Sequence, residues 1–216
     1  MFHKKKYILS FLFILGLLFF TACQKSPSAS SIALNYYDLI IKQNTSDIIS
    51  LGMPAETAEA ITSHIKENLQ TQISEKLCMN GRITIDQHKI SQVQEAYLAS
   101  LQKLQATASD QKEGDHYLVT LSTSYIDYAA IDEQATSAAL KEVDISQFTD
   151  EVLYLTTLTD AYISYLIAGY QNATPSQTFN ESTFIFTSQN GLWLPSDYDA
   201  FVTELCNLVS SPDKAS

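Results

Sequence analysis

The sequence predicts an α+β fold, with an antiparallel sheet of about four strands and helices packed on one face of that sheet. Three observations support this prediction. Apolar residues recur every three or four positions over several long segments, the period changes to two in two separate places, and each of those places contains a turn signal. Hairpins separated by helices are typical of layered α+β domains.

Three helices are predicted at the start of the domain. Apolar side chains at helical spacing predict helices over residues 32–42, 55–77 and 87–103. Gly52 is predicted to end the helical segment before the second helix. Pro54 suits the first turn of the second helix, because proline has no N–H to leave unpaired there. Asp86 precedes the third helix and is predicted to cap it.

Two hairpins are predicted further along. Residues 104–108 and 117–125 alternate between apolar and polar, and Lys112-Glu113-Gly114-Asp115 supplies the turn between them. The second hairpin joins a strand around Phe179–Phe186 to Leu192-Trp193-Leu194. Its turn, Asn190-Gly191, fits the positive φ angles of a tight hairpin.

The remaining helices follow each hairpin. Residues 131–143 are predicted as a helix capped around Asp132, and residues 148–170 as a second helix that is apolar around most of its circumference. Such a helix is expected to be buried centrally. A final helix is predicted from Pro195-Ser196-Asp197 to about Val209.

The first 23 residues resemble a bacterial lipoprotein signal. Lys4, Lys5 and Lys6 precede a fourteen-residue run that is nearly all apolar, and Thr21-Ala22 leads directly to Cys23. The resemblance implies cleavage before Cys23 and attachment of a diacylglyceryl group to its thiol, with palmitate as a label. Two lipid chains are enough for stable anchoring. The alternative is an ordinary secretory signal or an uncleaved anchor.

This leader sets the predicted organisation of the chain. Residues 1–22 are the signal peptide, residues 23–31 a flexible polar tether, residues 32–209 a single α+β domain and residues 210–216 a disordered tail. The predicted location is the cell membrane, with the protein lipid-anchored on its extracellular face.

Charge limits the classes of partner that the chain can bind, and cysteine content limits its possible disulfides. Without the leader, the chain has 10 basic and 24 acidic residues, and residues 114–216 contain two lysines against 14 acids. Such a balance argues against nucleic acid and permits a cationic ligand or basic partner, although solubility alone also explains it. Cys78 and Cys206 either pair as a disulfide or stay as free thiols.

Several segments resemble a family of Gram-positive lipoproteins that carries a domain of unknown function. They are Leu51-Gly52-Met53, Ser124-Tyr125-Ile126-Asp127, Asn172-Ala173-Thr174-Pro175-Ser176, Phe184-Ile185-Phe186 and the run from Gln189 to Asp197. The resemblance implies export, a lipid anchor and one α+β domain, and it implies no established activity. By analogy, the strand–Asn-Gly–tryptophan strand at the end of the domain also looks like the cystatin or NTF2-like group.

Residues that carry chemistry are few. The acid pairs Asp132-Glu133, Asp150-Glu151 and Asp197/Asp199 are compatible with glycosidase chemistry if they converge, but their predicted places at helix starts favour capping. The spacing of histidines and cysteines favours no metal site, and no cofactor or catalytic residue is predicted. The sequence therefore predicts that the protein is not an enzyme.

Tyrosines are the candidates for a ligand surface. Tyr125, Tyr154, Tyr162 and Tyr165 combine an apolar ring with a polar hydroxyl, which suits both a pocket wall and the edge of a core. Three functions remain open: a membrane-anchored, non-catalytic binding or interaction module for an unknown protein or small molecule, a small-molecule or lipid pocket protein, and a cell-wall hydrolase.

Overall fold

The computed structural model describes residues 27–79, 81–189 and 192–211, and it confirms the predicted fold class. These residues form seven α-helices, one 3-10 turn and a four-stranded antiparallel sheet. The predicted leader, Cys23, the turn residues Asn190-Gly191 and the predicted tail beyond residue 211 lie outside the described residues.

The elements follow the predicted order. The helices are α1 (Ala29–Ile40), α2 (Ser46–Ser50), α3 (Ala55–Leu77), α4 (Gln87–Leu101), α5 (Tyr128–Glu142), α6 (Glu151–Asn172) and α7 (Tyr198–Leu208). The strands are β1 (Ala106–Glu113), β2 (His116–Ser124), β3 (Phe179–Gln189) and β4 (Leu192–Pro195), and the 3-10 turn (Ile145–Gln147) separates α5 from α6.

The chain divides into two compact units. The first, here called the sheet unit, contains the described residues up to Ile65 together with Gln105–Thr123 and Phe179–Leu208. The second, here called the helical unit, contains Lys66–Leu104, Ser124–Thr178 and the described residues from Val209 onward. The boundary falls within α3.

The sheet unit has one buried and one exposed sheet face. The strands lie in chain order, and β1 pairs with β2 from Ala106 opposite Thr123 to Glu113 opposite His116. Along β2, Val119, Leu121 and Thr123 are buried and alternate with half-buried polar residues, as the period of a strand requires. On the exposed face, Ser122 donates a hydrogen bond to Glu181 across to β3 at 2.7 Å.

Helices α1 and α7 cover the buried face. Tyr37 of α1 is fully buried, and its hydroxyl lies 2.7 Å from the hydroxyl of Thr123. Phe201 of α7 packs edge-on against Phe184 and Phe186 of β3, with ring centroids 4.8 and 5.7 Å apart. The core of the sheet unit therefore contains large aromatic side chains, and the buried hydroxyl of Tyr37 has a partner in Thr123.

Helices α4, α5 and α6 build the helical unit. Its core is a cluster of buried aliphatic residues from these helices, the end of α3 and the segment after it, namely Leu77, Ile83, Ile85, Ile90, Val93, Ala135, Ile163 and Leu166. Helices α5 and α6 approach closely at Gly169, where an added Cβ would lie 2.5 Å from Cγ2 of Ile131. Glycine at this position lets the two helices make contact.

Three predicted helix starts were wrong. Helix α6 begins at Glu151 rather than Phe148, because Asp150 caps it by accepting a hydrogen bond from the Leu153 N–H. Helix α1 begins at Ala29 rather than Ile32, because Ser28 caps it by accepting a hydrogen bond from the Ser31 N–H. The helix thus takes in the last three residues of the predicted tether. Helix α5 begins at Tyr128 rather than Ile131, because Asp127 accepts from the Ala130 N–H and is its cap in place of Asp132.

The predicted central burial of the apolar helix was also wrong. Within α6, Thr159, Ile163 and Leu166 are buried, whereas Val152 and Leu153 are 57% and 59% exposed. This helix therefore carries more apolar side chains than the neighbouring elements bury. Its first turn places large apolar side chains in contact with water.

Candidate functional site

A cavity of about 220 Å³ lies in the helical unit between the end of α3, α5 and α6. Its lining is mostly apolar, with polar groups contributed by all three segments. The lining residues are Lys76, Leu77, Met79, Asp132, Thr136, Ala139, Leu140, Leu158, Thr159 and Tyr162.

Helical periodicity explains which side chains line the cavity. On α5, Asp132, Thr136, Ala139 and Leu140 follow one another at intervals of four, three and one positions, so they share one face of the helix. On α6, Leu158, Thr159 and Tyr162 do the same. The face of α5 is lined partly by the small side chains of Thr136 and Ala139, which leaves space opposite α6.

The polar groups that line the cavity are arranged around Asp132. Its Oδ1 accepts hydrogen bonds from the ammonium of Lys76 at 2.7 Å and from the hydroxyl of Tyr162. The Lys76 ammonium also lies 5.9 Å from the centroid of the Tyr162 ring. Within the described residues, Oδ2 of Asp132 receives no hydrogen bond, so this oxygen is open to a ligand donor.

These contacts keep Asp132 ionised. Partial burial raises the pKa of the carboxyl, but the hydrogen bonds from Lys76 and Tyr162 outweigh burial and lower that pKa below its ordinary value. Burial, followed by the hydrogen bond to Asp132, raises the pKa of Tyr162. At neutral pH the cavity therefore presents a carboxylate, an ammonium and a neutral phenol.

Thr159 adds a polar atom with no visible partner. The residue is 3% exposed, and its hydroxyl has no hydrogen-bond partner among the described residues. Thr156 and Thr157 on the same helix instead donate to the carbonyls of Val152 and Leu153, four positions earlier. A buried hydroxyl without a partner costs about 1–3 kcal/mol, so this group is an unsatisfied polar atom in the cavity wall.

The four predicted tyrosines do not share one surface. Tyr162 lines the cavity, while the exposed Tyr165 donates to Glu142 at 2.7 Å. Tyr154 packs edge-on against Phe148 with centroids 5.6 Å apart, and the Tyr125 hydroxyl accepts a 3.3 Å hydrogen bond from Thr178. A ligand-binding role for Tyr125, Tyr154 and Tyr165 stays a prediction.

Other tyrosines of the helical unit pack against each other. Tyr97, Tyr128 and Tyr170 form a three-ring cluster with centroids 5.0 to 5.8 Å apart. Burial raises the pKa of Tyr170, as expected for a phenol removed from water. This arrangement agrees with core packing, which was the alternative interpretation of the tyrosines.

Sequence reasoning missed Lys76 and Thr159 and assigned Asp132 a different role. A signal for Asp132 was present, because the acid lies between Ile131 and Ala135 on the apolar face of α5 rather than ahead of the helix. By contrast, Asp150 and Asp197 do cap helices, since they accept from the N–H groups of Leu153 and Ala200. Those two carboxylates are used as predicted.

Metal and disulfide chemistry find little support in the described part of the chain. There, no group of three or more histidine, cysteine or acidic residues is arranged to hold a metal ion. Cys78 is half-buried and Cys206 is exposed, and both are free thiols. Of the two alternatives for these cysteines, the structure has the unpaired one.

Within residues 27–79, 81–189 and 192–211, no helix combines the length and the apolarity that crossing a membrane would need.

Comparison with known proteins identifies a related fold and no family. No family model matches the chain, and no curated protein matches it in sequence. Its fold is similar to the crystal structure of a "putative lipoprotein" (ycdA) from Bacillus subtilis, with a TM-score of 0.59 and 10% sequence identity. The match covers 85% of this chain and 56% of that protein, so this chain spans little more than half its length.

Proposed function

We propose that this protein is a lipoprotein, anchored through Cys23 to the outer face of a bacterial cell membrane, that binds a small ligand in the cavity of the helical unit. The cavity, with the Asp132 carboxylate and the Lys76 ammonium paired in its wall, is the observation that carries the binding proposal. Apolar walls with a few polar groups are typical of small-molecule sites.

The contacts of the acids favour binding over catalysis. Asp132 is the single acid among the described residues that line the cavity, and its Oδ1 is already paired with Lys76. Hydrolysis of a glycosidic bond needs two carboxylates on opposite sides of the substrate. The site has one, so the proposal assigns no reaction to it.

The binding proposal is tested by filling the cavity. Thr136 lines the cavity and is exposed, so Thr136→Trp places a large ring in the space without cutting into a packed core. Ser137→Trp is the matched control, because Ser137 is an exposed neighbour that is absent from the lining. Octanol binding to the mature chain, measured by titration calorimetry, is expected to disappear in Thr136→Trp and to persist in Ser137→Trp. Equal binding by both variants would rule out the cavity as the site.

The anchoring proposal rests on the signal-like leader, and the similarity of the fold to the "putative lipoprotein" ycdA agrees with it. Palmitate labelling of cells that express the full chain is expected to mark this protein. The label should be lost in Cys23→Ala and retained in Cys206→Ala, which removes an exposed free thiol from the domain. Persistent labelling of Cys23→Ala would refute the anchor.

A protein-binding surface is the second candidate function. Three large apolar side chains are exposed within the segment that joins α5 to α6 and the first turn of α6: Ile145, Val152 and Leu153 are 64%, 57% and 59% exposed. Exposed apolar groups of this kind mark interaction surfaces. A photo-crosslinking amino acid at Leu153 should capture a discrete protein in intact cells, and the same probe at the exposed Gln147 should capture less; equal capture at both positions argues against the surface.

A further inference from the structure

We propose that the cavity selects an amphiphile with a protonated amine head and an apolar chain, and that Lys76 occupies the place of this amine while the cavity is empty of ligand. The inference rests on the proposed binding function of the same cavity and names the class of ligand.

The structure already contains a cation in the proposed position. The Lys76 ammonium lies 2.7 Å from Oδ1 of Asp132 and 5.9 Å from the centre of the Tyr162 ring. A carboxylate and the face of an aromatic ring are the two groups that proteins commonly use to bind an ammonium. The site is therefore shaped and charged for such a group.

Lys76 can leave this position at small cost. Its side chain is 62% exposed and that of Asp132 is 41% exposed, and ion pairs in contact with water contribute only about 0–1 kcal/mol. The second carboxylate oxygen, Oδ2, receives no hydrogen bond from the described residues. An incoming amine can thus bind Oδ2 first and replace Lys76 afterwards.

The rest of the cavity accommodates an apolar chain. Leu77, Met79, Ala139, Leu140 and Leu158 supply its apolar wall. Transfer of the methylenes of such a chain from water to this wall is favourable.

Charge disfavours the opposite kind of amphiphile. Lys76 is the one cation among the described lining residues, and Asp132 already neutralises it. The described residues of the helical unit include 12 acidic and six basic side chains, so the net charge of this unit attracts cations and repels carboxylates. A fatty-acid anion would therefore meet a carboxylate with no spare cation to bind.

The experiment compares three eight-carbon probes with different head groups. Octylamine, octanol and octanoate are titrated at neutral pH into residues 24–216, which lack the leader and Cys23, below the concentrations at which they form micelles. Octylamine is expected to bind roughly tenfold more tightly than octanol, because a hydrogen bond to a charged group contributes about 1.5–3 kcal/mol. Octanoate is expected to bind most weakly.

Variants assign the preference to Asp132 and Lys76. Asp132→Asn should lower octylamine affinity roughly tenfold and leave octanol affinity unchanged. Glu133→Gln, which removes the same charge from the exposed neighbouring residue, should change neither. Lys76→Met should raise octylamine affinity, whereas Lys141→Met, at an exposed position of α5, should not.

The outcomes separate the two proposals. Octanol binding without a preference for octylamine, or a preference unchanged in Asp132→Asn, overturns the assignment of the ligand and leaves the binding function in place. Tighter binding of octanoate that is lost in Lys76→Met overturns it as well. If none of the three probes binds, the proposed binding function itself fails. Should Asp132→Asn fail to fold, Asp132→Glu is expected to retain the amine preference, and its absence there counts against the assignment.

Discussion

The interiors of the sheet unit and the helical unit are packed differently. In the sheet unit, Tyr37, Phe186 and Phe201 are fully buried, and the one buried hydroxyl among them is paired with Thr123. In the helical unit, small side chains on α5 face α6, and the cavity wall contains an unpaired hydroxyl at Thr159. The comparison indicates that the two interiors differ in packing. Among the described residues each unit has one buried side-chain polar atom without a hydrogen-bond partner, Gln43 Oε1 in the first and Thr159 Oγ1 in the second.

Two leucine truncations should show the largest difference between the units. Leu205 of the sheet unit is fully buried, so Leu205→Ala is expected to lower the free energy of unfolding by about 2–5 kcal/mol. Leu158 is half-buried beside an existing cavity, so Leu158→Ala is expected to cost about 1 kcal/mol. Urea denaturation followed by far-ultraviolet circular dichroism and by the fluorescence of the single tryptophan, Trp193, measures both. Equal losses would remove the proposed contrast in packing.

A substitution at the contact between α5 and α6 should have the next largest effect on stability. Gly169→Ala would gain about 1 kcal/mol from helix propensity, but its Cβ would lie 2.5 Å from Cγ2 of Ile131. We expect the clash to dominate, with a net loss of about 1–3 kcal/mol. In an Ile131→Ala background the same substitution should become neutral or stabilising, and a loss that persists there would contradict the steric explanation. Thermal unfolding of the natural chain, Gly169→Ala, Ile131→Ala and the double variant tests this.

Two buried threonines should respond with opposite signs. Thr123→Val leaves the buried Tyr37 hydroxyl without this partner and is expected to destabilise the protein by about 1–2 kcal/mol. Thr159→Val replaces an unpaired hydroxyl by a methyl group of similar size and is expected to stabilise it by about 1 kcal/mol. Both are measured by urea denaturation of the unliganded protein. A loss of stability in Thr159→Val would show that its hydroxyl does have a partner.

The smallest expected effect is the pH dependence due to Asp132. Its pKa in the folded protein lies below the ordinary 3.8, so its contribution to stability is fully present above that value and is lost as the pH falls through the lower folded-state pKa. The stability difference between the natural chain and Asp132→Asn should therefore shrink between about pH 5 and about pH 2. The exposure of the pair keeps the effect small. A difference that grows on acidification would contradict the lowered pKa.

The order of the elements was predictable because it depends on local signals. Helix α3 was predicted with its exact limits, from Pro54 at one end to the loss of apolar periodicity at the other, and Asp86 caps α4 as expected. The two hairpins were predicted from the change of period and their turn residues, and β1 and β2 pair around Gly114, which has a positive φ of 61°. These features need no knowledge of distant contacts.

The site was harder to predict because it depends on contacts between distant parts of the chain. Lys76 and Asp132 are 56 positions apart in the sequence, and nothing near Asp132 indicates which cation approaches it. The missing hydrogen bond of Thr159 is likewise a property of packing, since Thr156 and Thr157 have similar neighbours and do make theirs. Burial of α6 was overestimated for the same reason, because composition does not reveal how much neighbouring surface is available.

The early start of α1 limits how far the protein can reach from its proposed anchor. Five residues, 24 to 28, separate Cys23 from the first residue of the helix, Ala29, which is buried. Even a fully extended chain of this length spans only about 20 Å. A lipid-anchored domain with so short a tether stays in a thin layer next to the bilayer and does not sample the bulk medium. Ligands that partition to the membrane surface, as amphiphiles do, would meet it at a higher local concentration than freely dissolved ones.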